Sequence, residues 1–316
     1  MKKISIIVPC YNEEESIPLY YEAMNEIVDK MKDKASFEFI YINDGSKDKT
    51  LEILRGLAKK DKKVRYISMS RNFGKEAGMY AGLKASTGDY VTTMDVDLQD
   101  PPELLEEMFD TLEASDEYDC VAAKSTSRVG YSFLRKTFTK WFYAIIDKLS
   151  IVEMVPGARD YRLMTRQMVD SVLEMSEYNR YSKGIYSFVG YKTKWIEYEN
   201  KERVAGTTKW NFWKLFYYAL DGIVGYSTKL LLWPAFIGAF LVFVSFVLLV
   251  VIIVKLIMND PLTLLLVLST IMTFLSGIIL GFMGIIGEYL AMTYTEVKNR
   301  PVYIVKETEK DLKRDK

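Results

Sequence analysis

Ile4-Ser5-Ile6-Ile7-Val8-Pro9, followed at once by Cys10-Tyr11-Asn12-Glu13-Glu14, is the stretch on which the fold turns. Its apolar run is short and three glutamates follow it, so it reads as a buried β-strand and not as a signal peptide. Working outward, Phe37 to Asn43, Val64 to Met69, Tyr90 to Met94 and Asp119 to Ala123 repeat the β-like pattern, and amphipathic, charged segments fill most of the gaps. That alternation predicts an α/β domain with a Rossmann-like, mainly parallel sheet. Ligands of such open sheets sit outside the carboxyl ends of the strands.

The polar signals fall at those ends. Cys10-Tyr11-Asn12-Glu13-Glu14 follows the first strand, Asp44-Gly45-Ser46 the second, Ser70-Arg71-Asn72-Phe73-Gly74-Lys75 the third and Asp95-Val96-Asp97-Leu98-Gln99-Asp100 the fourth. Any one of these is explained as turn chemistry or helix capping; four on one edge point to a binding site. Asp95 and Asp97 repel each other unless a positive charge sits between them, and a divalent metal holding a diphosphate supplies it. A solvated carboxylate pair is the plainer alternative. Neither a Gly-x-Gly-x-x-Gly turn nor a Gly-Lys-Ser/Thr loop occurs, which argues against dinucleotide cofactors and ATP hydrolysis. The chain has no histidine, which excludes a His-based triad, His-ligated zinc and an imidazole base. Its two cysteines, Cys10 and Cys120, give no disulfide framework or metal cluster.

The 316 residues carry 42 bases and 42 acids, so the net charge indicates no polyanionic partner, nucleic acid included. The balance hides asymmetry: residues 1–123 hold 16 bases against 25 acids, and residues 124–229 hold 18 against 10. Residues 230–254 and 262–287 lack any charge; as helices each would be about 37–39 Å long, enough for a ~30 Å hydrocarbon layer. They predict two transmembrane helices within residues 229–290, a helical hairpin buried in a soluble core being the alternative. The basic tail, residues 291–316, then predicts an inner-membrane, multi-pass protein with the catalytic part and both termini cytoplasmic, and Lys306 to Lys316 reads as a solvated end. Residues 133–149 and 210–228 have the aromatic, amphipathic pattern of interfacial helices, or of ordinary core helices.

Taken in order, Ile7-Val8-Pro9-Cys10-Tyr11-Asn12-Glu13-Glu14, Asn43-Asp44-Gly45-Ser46-Lys47-Asp48, Arg71-Asn72-Phe73-Gly74-Lys75 and Asp95-Val96-Asp97-Leu98-Gln99-Asp100-Pro101 resemble the family 2 glycosyltransferases of the nucleotide-diphospho-sugar transferase A fold. More narrowly, they are similar to the polyprenyl-phosphate branch that includes dolichol-phosphate mannosyltransferases and bactoprenol-phosphate glucosyltransferases. The resemblance implies a catalytic domain over residues 1–209. It places Pro9, Tyr11, Glu13 and Asp44 around the base and ribose, with Asn12, Arg71, Lys75, Asp95 and Asp97 completing the nucleotide-sugar set. It also implies Asp95, Asp97 and Gln99 as the Mg²⁺ or Mn²⁺ set. Asn43 departs from a second aspartate common in relatives, which bears on base selectivity.

Farther on, Pro156-Gly157-Ala158-Arg159-Asp160-Tyr161-Arg162 resembles the acceptor-side loop of that branch, and Arg203-Val204-Ala205-Gly206-Thr207-Thr208-Lys209-Trp210 its basic loop, with Thr208 in place of serine. The Gln-x-x-Arg-Trp of processive synthases is missing. The resemblance therefore implies one hexose, from UDP-glucose by preference, transferred with inversion to a polyprenyl (undecaprenyl) phosphate. Asp97, Arg159 and Asp160 are the implied catalytic residues; Arg159, Arg162, Arg203 and Lys209 are candidates for the acceptor phosphate. On chemistry alone Asp160 is either a base or the orienter of an arginine. A flippase partner and a homo-oligomer belong to the same expectation. The competing readings are a transferase to a glycan or diacylglycerol and a catalytically silent scaffold.

Overall fold

A computed structural model describes residues 1–126, 155, 157–199 and 262–313. One eight-stranded sheet runs through it in the order β7-β5-β6-β4-β1-β2-β3-β8. Its strands are β1 (Lys2–Cys10), β2 (Ala35–Asn43), β3 (Val64–Met69), β4 (Tyr90–Thr93), β5 (Cys120–Ser125), β6 (Ala158–Thr165), β7 (Thr193–Tyr198) and β8 (Val305–Thr308). Strands β4-β1-β2-β3 are mutually parallel. Strand β6 runs antiparallel to both β4 and β5, and β5 is parallel to β7. The helices are α1 (Ser16–Lys30), α2 (Thr50–Lys60), α3 (Lys75–Ala85), α4 (Leu104–Ala114), α5 (Arg166–Glu174), α6 (Ser182–Phe188) and α7 (Leu262–Val297).

Near-continuous apolar runs form β1 and β2 because both faces of the sheet are covered. Ile4, Ile6 and Val8 pack with Tyr20, Met24 and Ile27 of α1 on one face. Ile7 and Ile40 pack with Ala81 and Leu83 of α3 on the other. Gly82 lets α3 approach so closely that a Cβ there would collide with Ile7.

Inside β2 sits Glu38, only 4% exposed. Ser5 Oγ donates to it at 2.6 Å and Thr87 N at 2.8 Å; Lys3 and Arg65 each lie 3.0 Å away. Burial pushes its carboxyl upward, but these donors outweigh it and hold it at about 2, below the ordinary 4.5. A depressed carboxylate gives stability that is complete above its unfolded value and lost as pH falls toward the folded one. Glu38→Gln should therefore be less stable than wild type at pH 7, with the gap in thermal midpoint closing between pH 4.5 and 2.

Two expectations are corrected here. Among the described residues no helix is long and apolar enough to cross a membrane, so the multi-pass, inner-membrane arrangement with cytoplasmic termini is not supported. Residues 262–287 belong to α7, which continues through Glu288 to Val297. Near its end Glu296 accepts hydrogen bonds from Tyr178 N at 2.8 Å and Asn179 N at 3.3 Å. A run without charge reports the cost of hydrating a segment, not what covers it. Residues 133–149, 210–228 and 230–254 lie outside the described residues. The second correction concerns the tail: Val305–Thr308 is no solvated end but an edge strand, antiparallel to β3, with Leu312 packed against the core.

Candidate active site

The carboxyl ends of β1, β2, β3 and β4 meet along one edge. Asp44 N donates to Cys10 O at 2.9 Å, Asn12 N to Ser46 Oγ at 2.9 Å and Lys47 N to Asn12 Oδ1 at 2.8 Å. Asn12 holds a left-handed φ of 54° to do so. Asparagine tolerates that region because its short amide bonds locally. Glu13 N donates to Thr50 Oγ1 at 2.8 Å, and the Glu13 carboxylate takes the Ser16 hydroxyl at 2.8 Å. Pro9 and Tyr11 flank this knot and are partly exposed.

Buried Asp44 uses both carboxylate oxygens on the third loop: Phe73 N donates at 2.6 Å and Gly74 N at 2.8 Å. Burial still raises its carboxyl above the ordinary range, against the lowering effect of those two amides. The expected ribose-binding acid thus also clamps the loop that follows β3. Arg71 is exposed and stacked 4.0 Å over Phe73, and its charge favours the ionised Asp44. Gly45 has φ +66°, and a Cβ on it would meet Asn72 N at 2.6 Å. Gly45→Ala should force loop 71–74 away from Asp44, lowering stability by about 1–3 kcal/mol and weakening nucleotide binding; a melting curve and a calorimetric titration read the two effects.

The fourth loop turns at Leu98, where φ is 55°, and Gln99 N donates to Asp97 Oδ1 at 3.2 Å. Asp97 is 9% exposed. Asp95 is more open and is held by Lys75 at 2.7 Å. The same ammonium reaches Asp160 Oδ2 at 2.7 Å, so the first residue of α3 bridges the end of β4 to β6. Burial opposes charge on both partners, yet their attraction wins: Asp160 is held well below the carboxylate range and Lys75 well above its own. Asp160 Oδ1 is buried with no partner among the described residues.

Positive charge surrounds Asp160. Arg159 lies 3.5 Å from Asp100 and donates to Tyr198 at 3.2 Å. Asp100 also takes the Tyr198 hydroxyl, and burial lifts its carboxyl to about 6 despite Arg159. Arg162, 3% exposed, stacks 3.9 Å over Tyr186, and its Nε has no partner among the described residues. Arg203 and Lys209 lie outside the described residues. Lys183, which sequence reasoning missed, belongs to the same cluster: burial lowers its ammonium, Asp160 works against that, and Lys75, Arg159 and Arg162 add to it. Its helix is tied in by Ser182 N, which donates to Glu76 at 3.0 Å. The signal that could have found it is a lysine in the first turn of a short helix just after the Tyr178-Asn179 bend.

Among the described residues no three acids, cysteines or histidines already converge as a metal cage. The donor set nevertheless suits a hard cation. Two carboxylates and the Gln99 amide oxygen are oxygen ligands, and a magnesium-type ion takes the rest of its shell from water and phosphate.

The strand-end cluster lies on a mainly parallel sheet, and the chain belongs to glycosyl transferase family 2, whose model matches residues 5–180. The match runs from β1 into the loop before α6, so the expected A fold holds there. The SfII prophage-derived bactoprenol glucosyl transferase of Shigella flexneri is 40% identical over 307 residues, 97% of this chain and 98% of that protein. The prophage bactoprenol glucosyl transferase homolog of Escherichia coli (strain K12) is 40% identical over 315 residues, 98% of this chain and 100% of its own. Among solved structures, glucosyl-3-phosphoglycerate synthase from Mycobacterium tuberculosis in complex with Mg²⁺ and uridine-diphosphate overlays with a TM-score of 0.44 at 18% identity, covering 71% of this chain and 77% of that one.

Proposed function

We propose that this chain transfers one glucose from UDP-glucose to the phosphate of a polyprenyl lipid, with inversion at the anomeric carbon. The observation that carries the reading is the Lys75 bridge between Asp95 and Asp160, with Arg159, Arg162 and Lys183 around it. Three cations, Lys75, Lys183 and Arg162, act on Asp160, and Arg159 on neighbouring Asp100, a set suited to an anionic acceptor beside an anionic donor. The names of the relatives support glucose and the polyprenyl phosphate.

Asp95, Asp97 and Gln99 would hold Mg²⁺ or Mn²⁺, which when bound neutralises charge on the departing diphosphate. Asp44 fixes the loop beside the nucleotide. Arg159 and Arg162 attract and orient the acceptor phosphate. One of its oxygens attacks the anomeric carbon, the bond to the UDP oxygen breaks, and UDP leaves with the electron pair. A phosphate monoester is already ionised near pH 7, so no proton must be removed. Asp160, held anionic by Lys75, therefore acts as an orienter of the cations and not as a strong base.

Purified protein incubated with undecaprenyl phosphate, Mg²⁺ or Mn²⁺ and a panel of UDP- and GDP-sugars tests the reading by the mass of the product. A single-hexose undecaprenyl phosphate formed from UDP-glucose supports it. Turnover only with a diacylglycerol or glycan acceptor would overturn it.

A further inference from the structure

The end of α7 and the segment after it touch loops 70–74 and 178–182, and the expectation of a loose basic end gives no hint of it. Close to the end of α7, Thr295 accepts a hydrogen bond from Asn179 Nδ2 at 3.1 Å and Glu296 from Tyr178 N at 2.8 Å. The chain then turns at Asn299, with φ 47°, and lays Tyr303 edge-on to Tyr80 at 6.2 Å. Arg180 stacks on that same Tyr80 at 4.2 Å. Ile304 O accepts from Ser70 N at 2.9 Å, directly before the loop that wraps Asp44. Tyr303 and Phe73, whose amide binds Asp44, pack against the same apolar cluster.

Strand β8 anchors this contact to the sheet. Glu307 takes Arg55 Nε at 2.7 Å and the Tyr66 hydroxyl at 2.5 Å, and Glu309 pairs with Arg65 at 3.1 Å. Two acids, Glu307 on the strand and Glu309 just past its end, thus do the docking. The strand also covers the edge of β3, which would otherwise present unpaired backbone groups.

We infer that residues 295–309 are a positioning brace for the sugar-donor site, setting loop 70–74 through Ser70 and Phe73 and the 178–182 turn through Tyr178, Asn179 and the Arg180–Tyr80–Tyr303 stack. None of these residues touches a reacting atom; they act through the loops. The inference rests on the donor half of the proposed function and not on the acceptor.

Calorimetric titration of the full chain with UDP-glucose and Mn²⁺, no acceptor present, tests it. Tyr303→Ala and the double variant Glu307→Gln/Glu309→Gln should weaken the dissociation constant about tenfold, within the usual range of coupling between distant groups, with the binding stoichiometry unchanged. Tyr303→Phe, which keeps the ring, should restore wild-type affinity. A segment that merely supports the fold would lower the stoichiometry and leave the affinity of the folded fraction at the wild-type value, and that result overturns the inference. The Gln pair preserves side-chain volume, so it carries the test even where Tyr303→Ala fails to accumulate. Glycolipid synthesis that fails while nucleotide binding follows this pattern would strike the acceptor assignment instead.

Discussion

Asp95→Asn and Asp97→Asn should each cut glucosyl transfer by about 10²-fold or more, the scale on which one electrostatic contact to developing charge acts, with the folded state retained. Both substitutions keep side-chain volume. Asp97 is 9% exposed and its Oδ1 accepts from Gln99 N, a role the Asn amide oxygen can keep. Asp95 is tied to Lys75 and not to the core. What each variant loses is a negative oxygen able to share a divalent cation with the diphosphate. Steady-state transfer assays beside melting curves check this, and wild-type turnover in both variants would remove the metal set from the account.

Lys75→Met is expected to have a comparable effect by the opposite route. The ammonium sits 2.7 Å from both Asp95 and Asp160, so removing it leaves two carboxylates with no cation between them. Asp160 then loses the largest of the influences that keep it ionised, and transfer should fall by about 10²-fold. In a double-mutant cycle Lys75→Met and Asp160→Asn should be non-additive by about 0.5–3 kcal/mol, as for groups in one network. Additive losses would show that the bridge has no part in transfer.

Strands β1 to β5 were legible because they are short apolar runs closed by turn residues, and Val64–Met69 coincides with the expected range, whereas β6, β7 and β8 were not anticipated. The edge carrying the site was legible for the same reason: Asn12, Asp44, Lys75 and Asp95 follow strands that end side by side. What lay hidden depended on partners far along the chain. The resemblance gives Asp44 as an acid beside the ribose, and only the fold brings Phe73 N and Gly74 N onto it. Lys183 carries no motif, and only the fold sets it near Asp160. The tail's lysines suggest a solvated end, whereas Glu307 and Glu309 decide its place by meeting Arg55 and Arg65. Uncharged length misled at 262–287, where the helix runs on and ties its far end to the Tyr178 turn.

The proposed function rests on acids at the end of the fourth strand binding a sugar nucleotide through a shared divalent ion. Its most direct measurement is the dissociation constant of UDP-glucose for wild type and Asp97→Asn, each with Mn²⁺ and with excess chelator. Wild type should bind at least about tenfold more tightly with the ion, since ligand-shell contributions are of that size or larger, and Asp97→Asn should lose most of that difference. Equal affinities in all four titrations would contradict the account.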